Sequence, residues 1–394
     1  KNKIEVLTKS STMASHKRLG LLVESVENLL KIKTTGARWS IMNKWNQLSD
    51  DAANDDILIT HSTNISGFLA VFFQQSSYVS TVALGAYLIG STSSLTMGSL
   101  IAITILANKV FQPMSQIPGI FVQWAKAKVA IQDLDGLYIL PREGENVERP
   151  ITAKLQSHKI QCSDLKFAYN KDSIALDIAK LQIQPGEKVA ILGSIGAGKS
   201  TLLKVLSGIY KPMMGRVTID GIDMQQIARS NITSTIGYLD QDNKLFKGTY
   251  RDNLTIGLVN VSDEQIIKVS KLTGLMTLIS SLPSGLDTEV PEGGKTVSGG
   301  QRQLIALTRI LIGNNRVLLL DEPTASMDET TEGKILTLLQ QTVTKEQTLI
   351  VVTHKPKLLN LVDRVIVMST SGITYDGTKE AILKKMSEHR AKKN

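Results

Sequence analysis

The sequence predicts an α-helical transmembrane domain fragment followed by an α/β domain. Three observations predict it. From Ile57 to Asn108 there is no Asp, Glu, Lys or Arg. After residue 158, short β-rich runs alternate with helical patterns, the mark of an α/β sheet. Within that second half, "KVAILGSIGAGKSTLLKVL" (188–206) is an apolar strand, a glycine-rich loop and a helix in direct succession.

The 394 residues suffice for two domains. The start, "KNKIEV", has neither an initiator Met nor a secretory pattern and is expected to be a truncation. The single cysteine, Cys162, excludes a disulfide framework or a cysteine metal site within the chain. The formal charge of +9 is concentrated at the C-terminus ("ILKKMSEHRAKKN") and beside the apolar segments, which suits a cytosolic membrane flank and no nucleic acid.

A spanning helix needs roughly 20 mainly apolar residues. Residues 66–90 suit one span and 95–121 a second, with "STSS" (91–94) as the turn of a hairpin. Lys31, Lys33, Arg38 and Lys44 precede it and Lys126 and Lys128 follow, so both ends are expected in the cytosol and the turn outside. A buried soluble hairpin is the alternative, given Gln74, Gln75 and several serines; the charge-free length favours the membrane. Lys109 either lines a pore or snorkels. Pro113 and Pro118 are expected to kink the second span. Upstream, 16–33 is amphipathic at helical spacing, and "ARWSIMNKW" (37–45) carries Trp39 and Trp45 into a short turn. Two spans cannot enclose a pathway, so further helices must come from missing residues or another chain. The polar stretch 140–157 reads as a linker between a first domain, 1–139, and a second, 158–394.

In the second domain, Gly193, Gly198, Lys199 and Ser200 fill G-x-x-x-x-G-K-[ST], in the strand–loop–helix context that defines a P-loop. With Ser194, Gly196 and Thr201 they form the expected phosphate cradle. Lys199 is expected on the β- and γ-phosphates, and the Ser200 hydroxyl on Mg²⁺. "RVLLLDEPTASMD" (316–328) is an apolar strand ending in two acids. Asp321 is suited to hold Mg²⁺ and Glu322 to take a proton from the attacking water.

Together with "SGGQ" (298–301), these motifs resemble the nucleotide-binding domain of the ABC ATPase superfamily, a P-loop NTPase fold with a helical subdomain. The resemblance implies ATP and Mg²⁺ as ligands and gives roles to further residues. Tyr169 in "LKFAYN" resembles the aromatic that stacks on adenine, and Gln241 in "IGYLDQD" the glutamine that touches Mg²⁺. Asp328 resembles the D-loop aspartate, and His354 in "VVTHK" the switch histidine at the γ-phosphate. "TEVPEGG" (288–294) resembles a loop that senses the membrane domain. Ser298, Gly299, Gly300 and Gln301 would cap an ATP held by a partner chain, so a homodimer is implied. The departures are small: Val297 for Leu, Asp240 for Pro, and the order Ala325–Ser326–Met327. None removes a functional group.

"LVESVENLLKIKTTGARWSIMNKW" (22–45) and "LTMGSLIAITILANKVFQPMSQI" (95–117) are similar to stretches of type I secretion exporters. That resemblance implies a multi-pass ATPase of the bacterial inner membrane, with its ATPase domain in the cytosol. It would export an unfolded protein, such as a repeat-containing toxin or adhesin, through a periplasmic adaptor and an outer-membrane channel. It also implies a coupling segment at about 37–46. A lipid, drug or peptide exporter is the alternative. An ATP-gated module without turnover is disfavoured by the intact Glu322 and His354.

Overall fold

The computed structural model describes residues 2–92, 96–111, 113, 116–140, 150–152, 155–170, 173–370, 372–382 and 384. Parts of the expected turn (93–94) and of the expected linker (141–149, 153–154) lie outside them. The chain divides into two compact units, Lys1–Arg142 and Glu143–Asn394.

The described residues of the first unit form helices joined by short connections: α1 (Asn2–Glu27), α2 (Leu29–Thr35), α3 (Arg38–Thr92), α4 (Met97–Phe111) and α5 (Ile117–Tyr138). Ser11 Oγ donates to Asp56 at 2.7 Å and Arg18 lies over the Trp45 ring at 5.8 Å, so α1 and α3 run antiparallel. Small and aliphatic residues fill the seams: Leu21, Ala52, Ile59, Ala125 and Val129 are buried. Gly36, at φ 68°, ends α2 in a left-handed cap whose N–H bonds to Ile32 O, the usual use of glycine at a helix end.

Two expectations change here. The short turn expected at 37–45 is instead the opening of α3. With Gly36 behind it and no proline before Pro113, nothing stops the helix, which runs unbroken for 55 residues. The second span, expected to be kinked at Pro113 and Pro118, is described as two helices: α4 ends at Phe111, two residues before Pro113, and α5 opens at Ile117 with Pro118 in its first turn. Among the described residues, one helix is long and apolar enough to cross a membrane, Arg38–Ser91, while Met97–Ala107 is a shorter apolar helix. The apolar face of α3 is open: Phe68, Phe72, Phe73 and Tyr87 are all exposed. A Cβ added at Gly85 would come within 2.2 Å of Leu100 Cδ1, so glycine lets α3 and α4 approach closely.

The second unit joins two main sheets; a short pair, β7 (Gly248–Thr249) with β8 (Glu289–Val290), and the helix α7 (Arg229–Thr235) lie outside them. An antiparallel sheet contains β1 (Ile160–Asn170), β2 (Ser173–Ile183), β4 (Met214–Ile219) and β5 (Ile222–Asp223), in the order β2-β1-β4-β5. The larger sheet contains β3 (Lys188–Gly193), β6 (Ile236–Leu239), β9 (Val317–Asp321), β10 (Thr348–Val352), β11 (Arg364–Ser369) and β12 (Gly372–Thr378). Its order is β12-β11-β3-β10-β9-β6, parallel except for β12 at the edge. Every residue of β9 and β10 is buried, as expected of central parallel strands covered on both faces.

Leu165, Ile191, Leu202, Leu206 and Ile219 belong to the core shared by the two sheets, and Leu307, Leu318, Leu320 and Leu339 to the core on the larger sheet's other face. Each such leucine contributes about 1.5–3 kcal/mol by leaving water. A third core, around Leu254, Ile266, Leu275 and Ile305, holds the helical subdomain of α8 (Tyr250–Thr255), α9 (Asp263–Thr273), α10 (Leu275–Ser280) and α11 (Gly299–Gly313).

Residues at the expected end of the linker are already tied to this unit. Ile151 bridges to Ile227 in parallel register. Asp220, in the turn between β4 and β5, accepts hydrogen bonds from the N–H groups of Gln156, Ser157 and Lys159 and from the Ser157 hydroxyl.

Candidate nucleotide-binding and hydrolysis site

The P-loop, Asp321, Glu322 and His354 gather where β3, β9 and β10 end, the carboxyl edge at which open α/β sheets bind ligands. β3 ends at Gly193 and α6 (Lys199–Leu206) begins after a five-residue loop. A Cβ at Gly193 would lie 2.3 Å from Met368 O; one at Gly198 would lie 2.7 Å from Ala175 O. Gly196 and Gly198 have φ of 81° and 85°, which side chains other than glycine rarely adopt. At these glycines the loop therefore admits backbone alone. Lys199 is buried, and its ammonium donates to the carbonyls of Gly193 and Ser194 at 2.9 Å each. Burial pulls its pKa down, against the pull of Glu322 and Asp321. Tyr169, at the end of β1, has an exposed ring set edge-on to Phe167 and Tyr210. Its hydroxyl is 3.0 Å from Thr201 Oγ1, which fixes the ring beside the P-loop helix.

The two acids have different environments. Asp321 is 1% exposed, and neither carboxylate oxygen has a hydrogen-bond partner of good geometry. Burial raises its pKa; Ser200 pulls it down, Asp240 and Glu322 add to the rise, and Lys204 opposes it. An orphaned, desolvated carboxylate facing a hydroxyl fits a hard divalent cation, so Asp321 and Ser200 are suited to hold Mg²⁺. Glu322 is in the left-handed region at φ 46°. Its N–H donates to Val352 O at 2.9 Å, which binds it to the end of β10. Its carboxylate lies 3.5 Å from His354 Nε2. Gln241, just past β6, donates its N–H to Asp240 at 2.8 Å, and Asp240 pairs with Lys204 of α6 at 3.6 Å.

Ser298 caps α11. Its hydroxyl accepts from Gln301 N–H, and Gln301 Oε1 accepts from Ser298 N–H, a reciprocal capping box. A Cβ at Gly300 would lie 2.9 Å from Ser326 O, so the bare helix end packs on the loop after Glu322. Among the described residues, no hydrogen bond or ion pair joins 298–301 to the P-loop. Asp328 caps α12 (Glu329–Thr342), accepting from Thr331 N and Oγ1 at 2.9 Å each, and these bonds hold its carboxyl below the usual range.

Sequence reasoning missed two residues. Gln303 is 3% exposed and bridges main-chain atoms of Glu322 and Ser326. Lys355 joins Glu332 at 2.9 Å and Thr324 O at 2.7 Å. A signal for Gln303 was available: it shares a helical stripe with Ala306, Leu307 and Ile310, and a polar residue there must find internal partners. A cavity of about 720 Å³ lined by His158, Gly186, Thr235, Arg316 and Lys345 lies at the opposite, N-terminal ends of the parallel strands and contains none of the residues above.

Residues 176–325 match the family model described as ABC transporter. The lactococcin-A transport/processing ATP-binding protein of Lactococcus lactis subsp. lactis is 30% identical over 362 residues, 91% of this chain and 50% of that protein. The alpha-hemolysin translocation ATP-binding protein of Escherichia coli O157:H7 is 32% identical over 370 residues, 93% and 52% of the two. The mitochondrial iron-sulfur clusters transporter of Kluyveromyces lactis is 27% identical over 384 residues, 95% and 52%. The chain thus spans about half the length of the curated relatives it matches. A solved structure of a bacterial Atm1-family ABC exporter with ATP bound superposes with a TM-score of 0.88 at 23% identity, covering 99% of this chain and 70% of the other. At that identity the likeness shows the fold alone. The family match opens ahead of the loop that ends at Lys199 and closes just past Glu322, so the second unit of this chain belongs to the ABC transporter family as its ATPase domain.

Proposed function

We propose that the chain is the ATP-hydrolysing part of an ABC exporter subunit of the type I protein secretion class. The observation that carries the ATPase reading is the pairing of Glu322 with His354 at 3.5 Å, beside the buried, orphaned Asp321. The backbone N–H groups of Gly193–Gly198 and the Lys199 ammonium bind the β- and γ-phosphates. Tyr169 takes the adenine on its exposed ring, and Thr201 keeps that ring in place. Ser200, Gln241 and Asp321 hold Mg²⁺, which supplies positive charge against the phosphate oxygens. Glu322 accepts a proton from the attacking water, and His354 steadies the γ-phosphate. Ser298–Gln301 and Asp328 act on the nucleotide of a second copy, which is why this chain's own P-loop does not engage them.

The protein-secretion reading is supported by relatives named for transport of lactococcin A and translocation of alpha-hemolysin. On that reading the chain works as a homodimer in a bacterial inner membrane. It passes a secreted protein to a periplasmic adaptor and an outer-membrane channel. An exporter of a smaller cargo is the second reading, supported by the relative named an iron-sulfur clusters transporter, which aligns over 95% of this chain. In cells deleted for the full-length gene, loss of a protein from the medium supports the first reading; an unchanged secreted fraction supports the second.

The test of the ATPase reading is Glu322→Gln in the full-length protein in lipid vesicles. ATP binding persists and Mg²⁺-dependent turnover falls about 10²–10⁴-fold, the usual cost of losing a general base. Near-normal turnover would overturn the assignment.

A further inference from the structure

Gln303 lies in α11, two residues past Gln301, and its side chain is used entirely within the protein. Its amide nitrogen donates to the carbonyl of Glu322 at 2.6 Å, and its amide oxygen accepts from Ser326 N–H at 3.0 Å. The partners fix the amide's orientation, because a carbonyl only accepts and a backbone N–H only donates.

What Gln303 grips is an unusual peptide. Glu322 has φ 46°, a conformation sparsely populated by side chains of its kind and kept only where the surroundings hold it. Its N–H is bonded to Val352 O, and its carbonyl accepts from both Gln303 and Ala325 N–H. Of the side chains, Gln303 is the one among the described residues that bonds this carbonyl. Upstream on α11, Gly300 lies so close to Ser326 O that a Cβ would approach to 2.9 Å. The helix therefore touches the Glu322–Ser326 segment twice, once by close packing and once by a bidentate amide.

We infer that Gln303 is a positioning residue that ties α11 to the peptide of Glu322, so that the aim of the glutamate follows the helix whose N-terminus carries Ser298–Gln301. The inference rests on the proposed role of Glu322 as the base. The Gln303 amide is engaged by main-chain atoms of Glu322 and Ser326. It acts on turnover through where Glu322 points, not on affinity for the nucleotide. A merely structural glutamine would act differently, lowering stability and ATP binding together.

The experiment uses the full-length protein in vesicles and two variants. Gln303→Leu removes both hydrogen bonds. Gln303→Glu keeps an acceptor for Ser326 N–H and loses the donor to Glu322 O. In both, kcat is expected to fall roughly tenfold or more, with KM for ATP within about twofold of the parent. Adding Gln303→Leu to Glu322→Gln is expected to leave the residual turnover unchanged, because the group it aims is gone. Should Gln303→Leu fail to fold, Gln303→Glu carries the test, alone and in the Glu322→Gln background. A kcat within about twofold of the parent for folded Gln303→Glu, beside an inactive Glu322→Gln, overturns the role of Gln303 alone. So does a loss carried by KM, or losses that multiply in the double variant. Near-normal turnover in Glu322→Gln by itself overturns the base assignment, and this inference with it.

Discussion

Lys355 follows the histidine that faces Glu322, and its ammonium is shared between Glu332 of α12 and the carbonyl of Thr324. Glu332 is 6% exposed, so it depends on that partner. Glu332→Ala leaves the ammonium with one acceptor, while 32% exposure of the Lys355 side chain lets water soften the loss. The expected cost is about 1–3 kcal/mol, read as a lowered unfolding midpoint of the purified protein. Replacing both residues by Met is expected to cost less than Glu332→Ala, since no charge is then left unpaired. A double replacement costing more would show that the pair stabilises beyond its own desolvation. Residues of this kind separate what the sequence discloses from what it does not. Lys199, Asp321 and Glu322 are legible because a phosphate site needs its groups on one tight loop and one strand tip, and so in consecutive letters. Gln303 and Lys355 bond to main-chain atoms 19 to 31 residues away, and no pattern of letters encodes a carbonyl.

Among elements, the segment 156–159 and the β4–β5 turn make one device. Burial pushes the Asp220 carboxyl up from its ordinary 3.8, but hydrogen bonds from the Ser157 hydroxyl and from main-chain N–H groups of the 156–159 segment win and hold it at about 2. Because the folded value is depressed, the clamp's contribution is complete above about pH 4 and is lost as pH falls through 2. Hydrogen-exchange protection of 156–159, corrected for intrinsic rates, is expected to be flat from neutral pH to about 4 and to fall below it. Asp220→Asn suits the left-handed φ of 53° and carries no charge, so its profile is expected to stay flat. Identical profiles would remove Asp220 from the account. At this scale the alternation of strands and helices after residue 158 was readable, because buried parallel strands are apolar along their length. The extent of α3 was not. Trp39 and Trp45 suggested a turn, but a helix stops only where a cap or a proline stops it, and the stop came earlier, at Gly36.

For the whole molecule, the proposal that α3 and α4 form a membrane hairpin makes a labelling prediction. The chain is well suited to the experiment. Its single cysteine, Cys162, is 1% exposed, and burial pushes its thiol up to about 12, so the parent protein is nearly silent to maleimides. Ser40→Cys and Ser91→Cys each add one exposed thiol. In intact cells with a permeabilised outer membrane, an impermeant maleimide is expected to label Ser91→Cys at once and Ser40→Cys only after lysis. The reverse order would invert the topology.

α3 has one further consequence. At 1.5 Å per residue its 55 residues reach about 82 Å, well over twice the roughly 30 Å of a bilayer's hydrocarbon. Its acidic residues, Asp50, Asp51, Asp55 and Asp56, fall where the apolar stretch begins, so some 28 Å of helix, Arg38 to Asp56, extends on the charged side. A helix without an internal proline curves gently along its length and does not hinge at one point. A tilt of about 5° displaces one end relative to the other by about 7 Å over that length. On the proposed membrane reading, a helix of this length pivoting near its aspartates would carry a small displacement at Arg38 to the far end near Tyr87, in the opposite sense.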